Sequence, residues 1–226
     1  MSSPSDDPGS PSVSVFEQSA AWRDLHVLLA TGLRHPDEQF RAALETGEFE
    51  AELRSLVSEL DVGLAISVVP PVERSDGLTT AYIDLFEGGQ QPYAPPVESP
   101  YRPWYDRDEG GLMNGPSAAE MRQRYRALDV SVPDAYSPDH IALLLEYGSL
   151  LLEADEREAY RSFVRTHFEW VPALRRATDT AAANAPVYRW LAVLIDELCV
   201  ALRDRLDVPD PTAEDVDRMV ARAGNS

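Results

Sequence analysis

Apolar positions recur every three or four residues along most of this chain, the spacing that gathers them on one face of an α-helix. In "VFEQSAAWRDLHVLLATGL", Phe16, Ala20, Leu25, Leu28 and Leu29 fall near one face, and Gly32 and Pro36 supply a stop. "PDEQFRAALETG" and "EFEAELRSLVSELDV" predict two short amphipathic helices separated near Gly47. "SDGLTTAYIDLFEGG" predicts another, started by Ser75 or Asp76 and ended by Gly88 and Gly89. Helical spacing resumes at "PSAAEMRQRYRAL", where Pro116 suits the first helical position. It continues through "YSPDHIALLLEYGSLLLE", "DEREAYRSFVRTHF", "PALRRATDTAAANA" and "PVYRWLAVLIDELCVALRDRL". A last amphipathic stretch, "PTAEDVDRMVARAG", has Thr212 or Pro211 at its start. Two segments, 137–153 and 186–206, are apolar on nearly every face, which predicts central positions. "LAISVVPPV" is the only β-like run, and Pro70 and Pro71 cut it short. The pattern predicts an all-α fold, a single bundle of roughly nine to eleven helices.

Two stretches break the periodicity. Residues 1–13 are rich in Ser, Pro and Asp, which predicts a disordered tail ahead of one helical domain over 14–226. The tail has neither a positive region nor an apolar centre, so it does not read as an export signal. Residues 87–115 form the longest irregular segment, with five prolines, three tyrosines and a tryptophan. A loop of this length is functional or disordered, and its aromatics argue against plain disorder.

Composition narrows the partners. Twenty basic residues against 39 acidic ones leave 20 − 39 = −19, and every basic residue is arginine. Such a field repels nucleic acid and anionic membranes and favours a basic partner. An acidic, lysine-free chain also resembles proteins of salt-loving archaea, although GC-rich codon usage removes lysine too. The lone cysteine, Cys199, excludes an internal disulfide and reads as a small core residue. No apolar run reaches the roughly 18 residues that a membrane span needs, so the expected location is the cytoplasm.

The chain offers little for catalysis. His26, His35, His140, His167 and Cys199 have no metal-ligand spacing, so no metal is expected. No phosphate-binding glycine motif is present and a phosphate-loop lysine is impossible, so no cofactor is expected either. Asp139 and His140 suggest part of a triad, but neighbours on a helix diverge by about 100° and do not pair readily. A capping account of "SPDHI" makes Ser137 the N-cap, Pro138 the first helical residue and Asp139 a complement to the helix dipole. It leaves His140 unexplained, and it leaves Glu146 alone among leucines, where a carboxylate needs a partner or water. His167 and Trp170 share a helical face, which ordinary packing at a helix end also explains.

A resemblance gathers these residues. "AYIDLF" (81–86), "PPVESPY" (95–101), "LMNGPS" (112–117), "SPDHIALLLEY" (137–147), "HFEW" (167–170) and "PVYRWLAVLID" (186–196) follow one another in that order. In this the chain resembles the TorD/DmsD/NarJ group of cytoplasmic maturation chaperones over most of residues 16–206. The resemblance implies an all-helical, non-enzymatic protein that binds the apoprotein of a molybdopterin oxidoreductase, its twin-arginine signal peptide, or both. Such a chaperone holds its client back from export until the molybdenum cofactor is inserted. By position, the implied peptide-binding residues are Tyr82 and Phe86, with Leu85 in the same motif. Ser99 and Tyr101 of the proline-rich loop join them, with Pro138, Asp139, His140 and Glu146, then His167 and Trp170. Many relatives have a second glutamate where Leu144 stands here, and a Phe-Met pair at Tyr147–Gly148.

A twin-arginine signal needs carboxylates for its guanidinium groups and an apolar groove for its hydrophobic stretch. Asp139 and His140 are therefore expected partly exposed at a groove mouth, near the 87–115 loop. Glu146 is expected mostly buried, with water, an arginine or a tyrosine hydroxyl as partner. The implied partner is the catalytic subunit of a molybdopterin oxidoreductase, met by a monomer or a helix-swapped dimer. A helical adaptor or regulator with the same fold and another partner is the alternative.

Overall fold

Ten α-helices carry the fold in the computed structural model, which describes residues 14–64, 66, 75–88, 92–104, 113–181 and 184–224. They are α1 (Ser19–Leu33), α2 (Glu38–Thr46), α3 (Glu48–Leu60), α4 (Ser75–Tyr82), α5 (Pro116–Ala127), α6 (Ile141–Glu153), α7 (Arg157–His167), α8 (Val171–Thr180), α9 (Pro186–Leu206) and α10 (Ala213–Ala223). A π-helical turn, Ile83–Glu87, extends α4, and a 3-10 turn covers Ser99–Tyr101. Among the described residues there is no strand, only one isolated antiparallel bridge between Val97 and His140. The expected tail and most of the β-like run lie outside the described residues.

Local chemistry accounts for many helix ends. Asp37 caps α2 through the Phe40 amide at 2.7 Å. Gly47 lies between α2 and α3 at φ +77°, a left-handed conformation that glycine adopts without a Cβ clash. Thr212 and Asp215 form a reciprocal capping box at α10. α1 begins at Ser19, three residues after Phe16, and Ala20 is exposed rather than on the buried face. Phe16 instead packs edge-on against Tyr160 from the segment before the helix.

α6 lies most extensively along α1, and α9 packs on α8, α1, α7 and α4. The close α1–α6 approach leaves little room at Gly148, since a Cβ there would stand 3.1 Å from Cδ2 of His26. Buried apolar side chains from Val15 to Ala223 form one core cluster that includes Trp22, Phe86, Phe163 and Trp170. α6 is central as expected, whereas α9 keeps one face open, with Val200 exposed. α10 closes over α8 and the 3-10 turn.

Candidate functional site

The 94–102 segment is where the sequence motifs meet. Its backbone is hung on the chain just before α6: the Glu98 amide donates to the Asp139 carbonyl at 3.0 Å, and the Ile141 amide to the Pro96 carbonyl at 2.9 Å. This pairing moves the start of α6. Ser137 is not its N-cap and Pro138 is not its first residue; both precede the helix in an irregular turn, with Pro138 buried. His140 is the N-cap, with extended backbone, and its Nδ1 accepts from the Ala142 amide at 3.2 Å. A cap signal in the sequence is local. The bridge to Val97 is a tertiary contact, and it wins.

Asp139 serves the loop rather than the helix. It is fully buried, and its Oδ2 accepts from the Ser99 amide at 2.8 Å and from the Ser99 hydroxyl. Its Oδ1 accepts from Ser137 Oγ at 2.5 Å. Ser99 Oγ in turn accepts from the Gly115 amide at 2.9 Å, tying in the start of α5. Burial pushes the Asp139 carboxyl up from its ordinary value, against the pull of these hydrogen bonds.

His140 is buried as well, so the expected partial exposure of the Asp139–His140 pair is corrected. Burial, and then the nearby Arg34 charge, lowers its pKa to about 3. The ring is therefore neutral, and because Nδ1 accepts, the proton resides on Nε2. Nε2–H faces Tyr82 Oη at 3.4 Å, and the Tyr82 hydroxyl donates to the Leu33 carbonyl at 3.5 Å. Tyr82 also packs edge-on against Phe86 and Tyr188. The π-helical turn, unforeseen in the sequence, brings Leu85 beneath the loop, where its carbonyl accepts from the Ala94 amide at 2.7 Å.

The other end of the loop meets the α7–α8 junction. Glu98 is buried and takes His167 Nδ1 at 2.8 Å and Arg102 Nε at 2.9 Å. Arg102 also binds Glu169 and the Thr166 carbonyl. His167 Nε2 lies 3.5 Å from Glu120 of α5, an ion pair rather than a formed hydrogen bond. Burial works against the His167 charge, but Glu120 and Glu98 outweigh it and raise its pKa. Glu120 is lowered to about 2, chiefly by His167. Trp170 donates to the His167 carbonyl at 2.8 Å and stacks on Tyr101, with ring centroids 4.9 Å apart.

Glu146 departs from expectation in part. Its partner is an arginine, Arg34, at 2.5 Å, but its side chain keeps 35% of its exposure and is half-buried rather than mostly buried. The surface here also carries His35, exposed, and Tyr136, half-buried; the His35 amide donates to Tyr136 Oη at 3.0 Å. Sequence reading missed Arg34, Glu98, Arg102 and Glu120. The Glu98–Arg102 spacing within an otherwise apolar, proline-rich loop was the available signal. Nothing local pointed to Arg34. Among the described residues no group of three or more His, Cys, Asp or Glu is placed to hold a metal ion, and no helix is long and apolar enough to cross a membrane.

The arrangement is a loop anchored at three buried points: Asp139, His167 and the Tyr101–Trp170 stack. Arg34, whose charge is felt by His140, forms a half-exposed pair with Glu146. A family model described as "Nitrate reductase delta subunit" matches residues 42–176, more than half of the chain. All the motif residues from Tyr82 to Trp170 lie inside that match, and Arg34 lies outside it. No curated protein matches the chain.

Proposed function

The chain belongs to the nitrate reductase delta subunit family, a family of molybdoenzyme maturation chaperones, and from that membership we propose that it binds the catalytic subunit of a molybdopterin oxidoreductase before cofactor insertion. The part bound is the client's apoprotein, its twin-arginine signal peptide, or both, and the encounter takes place in the cytoplasm. The protein itself turns over no substrate. The observation that carries the reading is the convergence of the family's separated motifs on one loop, 94–102, in a fold that also keeps Glu146 half-exposed on α6. A carboxylate at the surface suits a guanidinium, and Leu150, exposed one turn beyond Glu146 on α6, offers an apolar contact to the signal's hydrophobic stretch.

In this reading Asp139, His140, His167 and Trp170 position the loop from below and do not touch the client. Contact falls to Glu146, Tyr136 and the loop's outer side. Affinity purification from the native cytoplasm, followed by mass spectrometry, tests it. A molybdopterin oxidoreductase subunit is expected to dominate the co-purified protein. Recovery of an unrelated partner instead overturns the chaperone reading and favours an adaptor with this fold.

A further inference from the structure

We propose that Arg34 is an internal competitor for the arginine of a bound client, holding Glu146 until the client displaces it; the proposal rests on the chaperone reading above. Arg34 is the residue that follows α1, in extended conformation at φ −79° and ψ 164°. Its Nη2 lies 2.5 Å from Glu146 Oε1, and Glu146 has no other side-chain partner among the described residues. The two side chains retain 39% and 35% of their exposure, so a second guanidinium reaches the carboxylate without any opening of the core.

Three features make the pair exchangeable. First, an ion pair this exposed is weak, because water screens it and two long side chains must be held still. Second, Arg34 Nε is buried and has no hydrogen-bond acceptor, a penalty of the closed arrangement that release to water removes. Third, the released guanidinium has a resting place. It stands at the C-terminal end of α1, where the helix dipole favours a cation, and the last turn of α1 contains no basic residue.

Leu150 lies one helical turn beyond Glu146 and is 37% exposed, an apolar neighbour on the same face. A client that offers arginine beside apolar side chains thus gains twice. A client with arginine alone merely trades one guanidinium for another. Arg34 therefore acts as a threshold: it cancels most of the electrostatic gain and leaves the apolar contacts to decide. Lysine lacks the planar fork that guanidinium presents to a carboxylate, so it displaces Arg34 less well.

The test is a titration of the full chain with a synthetic peptide that carries two consecutive arginines and then a leucine-rich run. A second peptide has glutamines in place of the arginines. Arg34→Gln is expected to bind the arginine peptide roughly two- to fivefold more tightly than the wild type, with no gain for the glutamine peptide. Glu146→Gln is expected to weaken binding of the arginine peptide, and in the double variant the Arg34→Gln gain disappears. A purely structural Arg34 predicts the opposite sign, since its loss then weakens binding. Arg34→Met keeps the aliphatic stem and gives the same gain if the glutamine variant melts early. Wild-type binding without a gain in either Arg34 variant overturns the proposal and leaves the chaperone reading standing. If neither the wild type nor any Arg34 variant binds the arginine peptide, the twin-arginine reading itself fails, and the proposal with it.

Discussion

At the scale of single residues, the family's polar motif residues work as buried fasteners. Asp139 accepts three hydrogen bonds out of reach of water, so Asp139→Ala leaves the Ser99 amide and two hydroxyls without their acceptor. The expected loss is about 2–4 kcal/mol of stability, read as a lower chemical-denaturation midpoint. A melting point equal to the wild type would show that Asp139 is dispensable to the loop. His140→Asn is expected to retain the cap on Ala142 and lose the Tyr82 and Tyr136 contacts, whereas His140→Ala loses the cap as well and melts earlier still. The histidines also set a pH profile. His140 and His26, lowered to about 3 and about 4 mainly by burial, stay neutral in the fold but take up protons when unfolded. Stability is thus lost as pH falls below 6.5 toward those values. His167 has the opposite sign: its raised pKa contributes stability that is complete below 6.5 and fades as pH climbs through the folded value. Melting curves across pH 4–9 are expected to peak near neutrality, and His167→Gln should flatten the alkaline side only. Sequence reading singled out Asp139, His140, His167 and Trp170 but misjudged the exposure of the first two. Burial of a polar residue depends on a partner far along the chain, here Ser99 for Asp139 and Tyr82 for His140.

At the scale of elements, what was legible was what is local. Amphipathic spacing, Gly47, Pro116 and the Thr212 start signal are written in neighbouring residues, and the helices they mark form where expected. The start of α6 was not legible, because Ser-Pro-Asp carries a good cap signal that the Val97–His140 bridge overrides. The π-helical turn at 83–87 has no simple sequence signature, yet it places Tyr82, Leu85 and Phe86 under the loop. Gly148 also reads differently in context. In sequence it weakens a helix, by about 1 kcal/mol relative to alanine. In the fold it is the contact point between α6 and α1, facing a His26 ring held by the Trp22 carbonyl and the Tyr160 hydroxyl. Gly148→Ala is therefore expected to destabilise by about 1 kcal/mol net, with overpacking outweighing the gain in helix propensity. A more stable alanine variant in urea unfolding would show that α1 and α6 have slack at this crossing.

At the scale of the whole molecule, the question is how a chain of net charge −19 keeps a compact core. Its described ion pairs do little to offset the self-repulsion. Arg157–Asp155, Arg161–Asp207 and Arg176–Asp217 are surface pairs with at least 44% exposure on every side chain, and such pairs contribute well under about 1 kcal/mol each. Among the described residues the Glu98–Arg102–His167 group is sheltered from solvent, and it ties one loop to α7. Screening should therefore relieve more repulsion than it removes attraction. The screening length shrinks from about 30 Å at 0.01 M salt to about 3 Å at 1 M, which silences repulsion between distant carboxylates first. The apolar core is not weakened by this, and sulfate, excluded from the surface, strengthens burial further. The melting temperature is expected to rise between 10 mM and 1 M potassium chloride, and to rise more at equal ionic strength in potassium sulfate. Arg176→Gln, which removes an exposed pair, should barely change either curve. A melting temperature that falls with potassium chloride would mean that the ion pairs hold the fold more than the carboxylates strain it, and the acidic surface would then need another explanation.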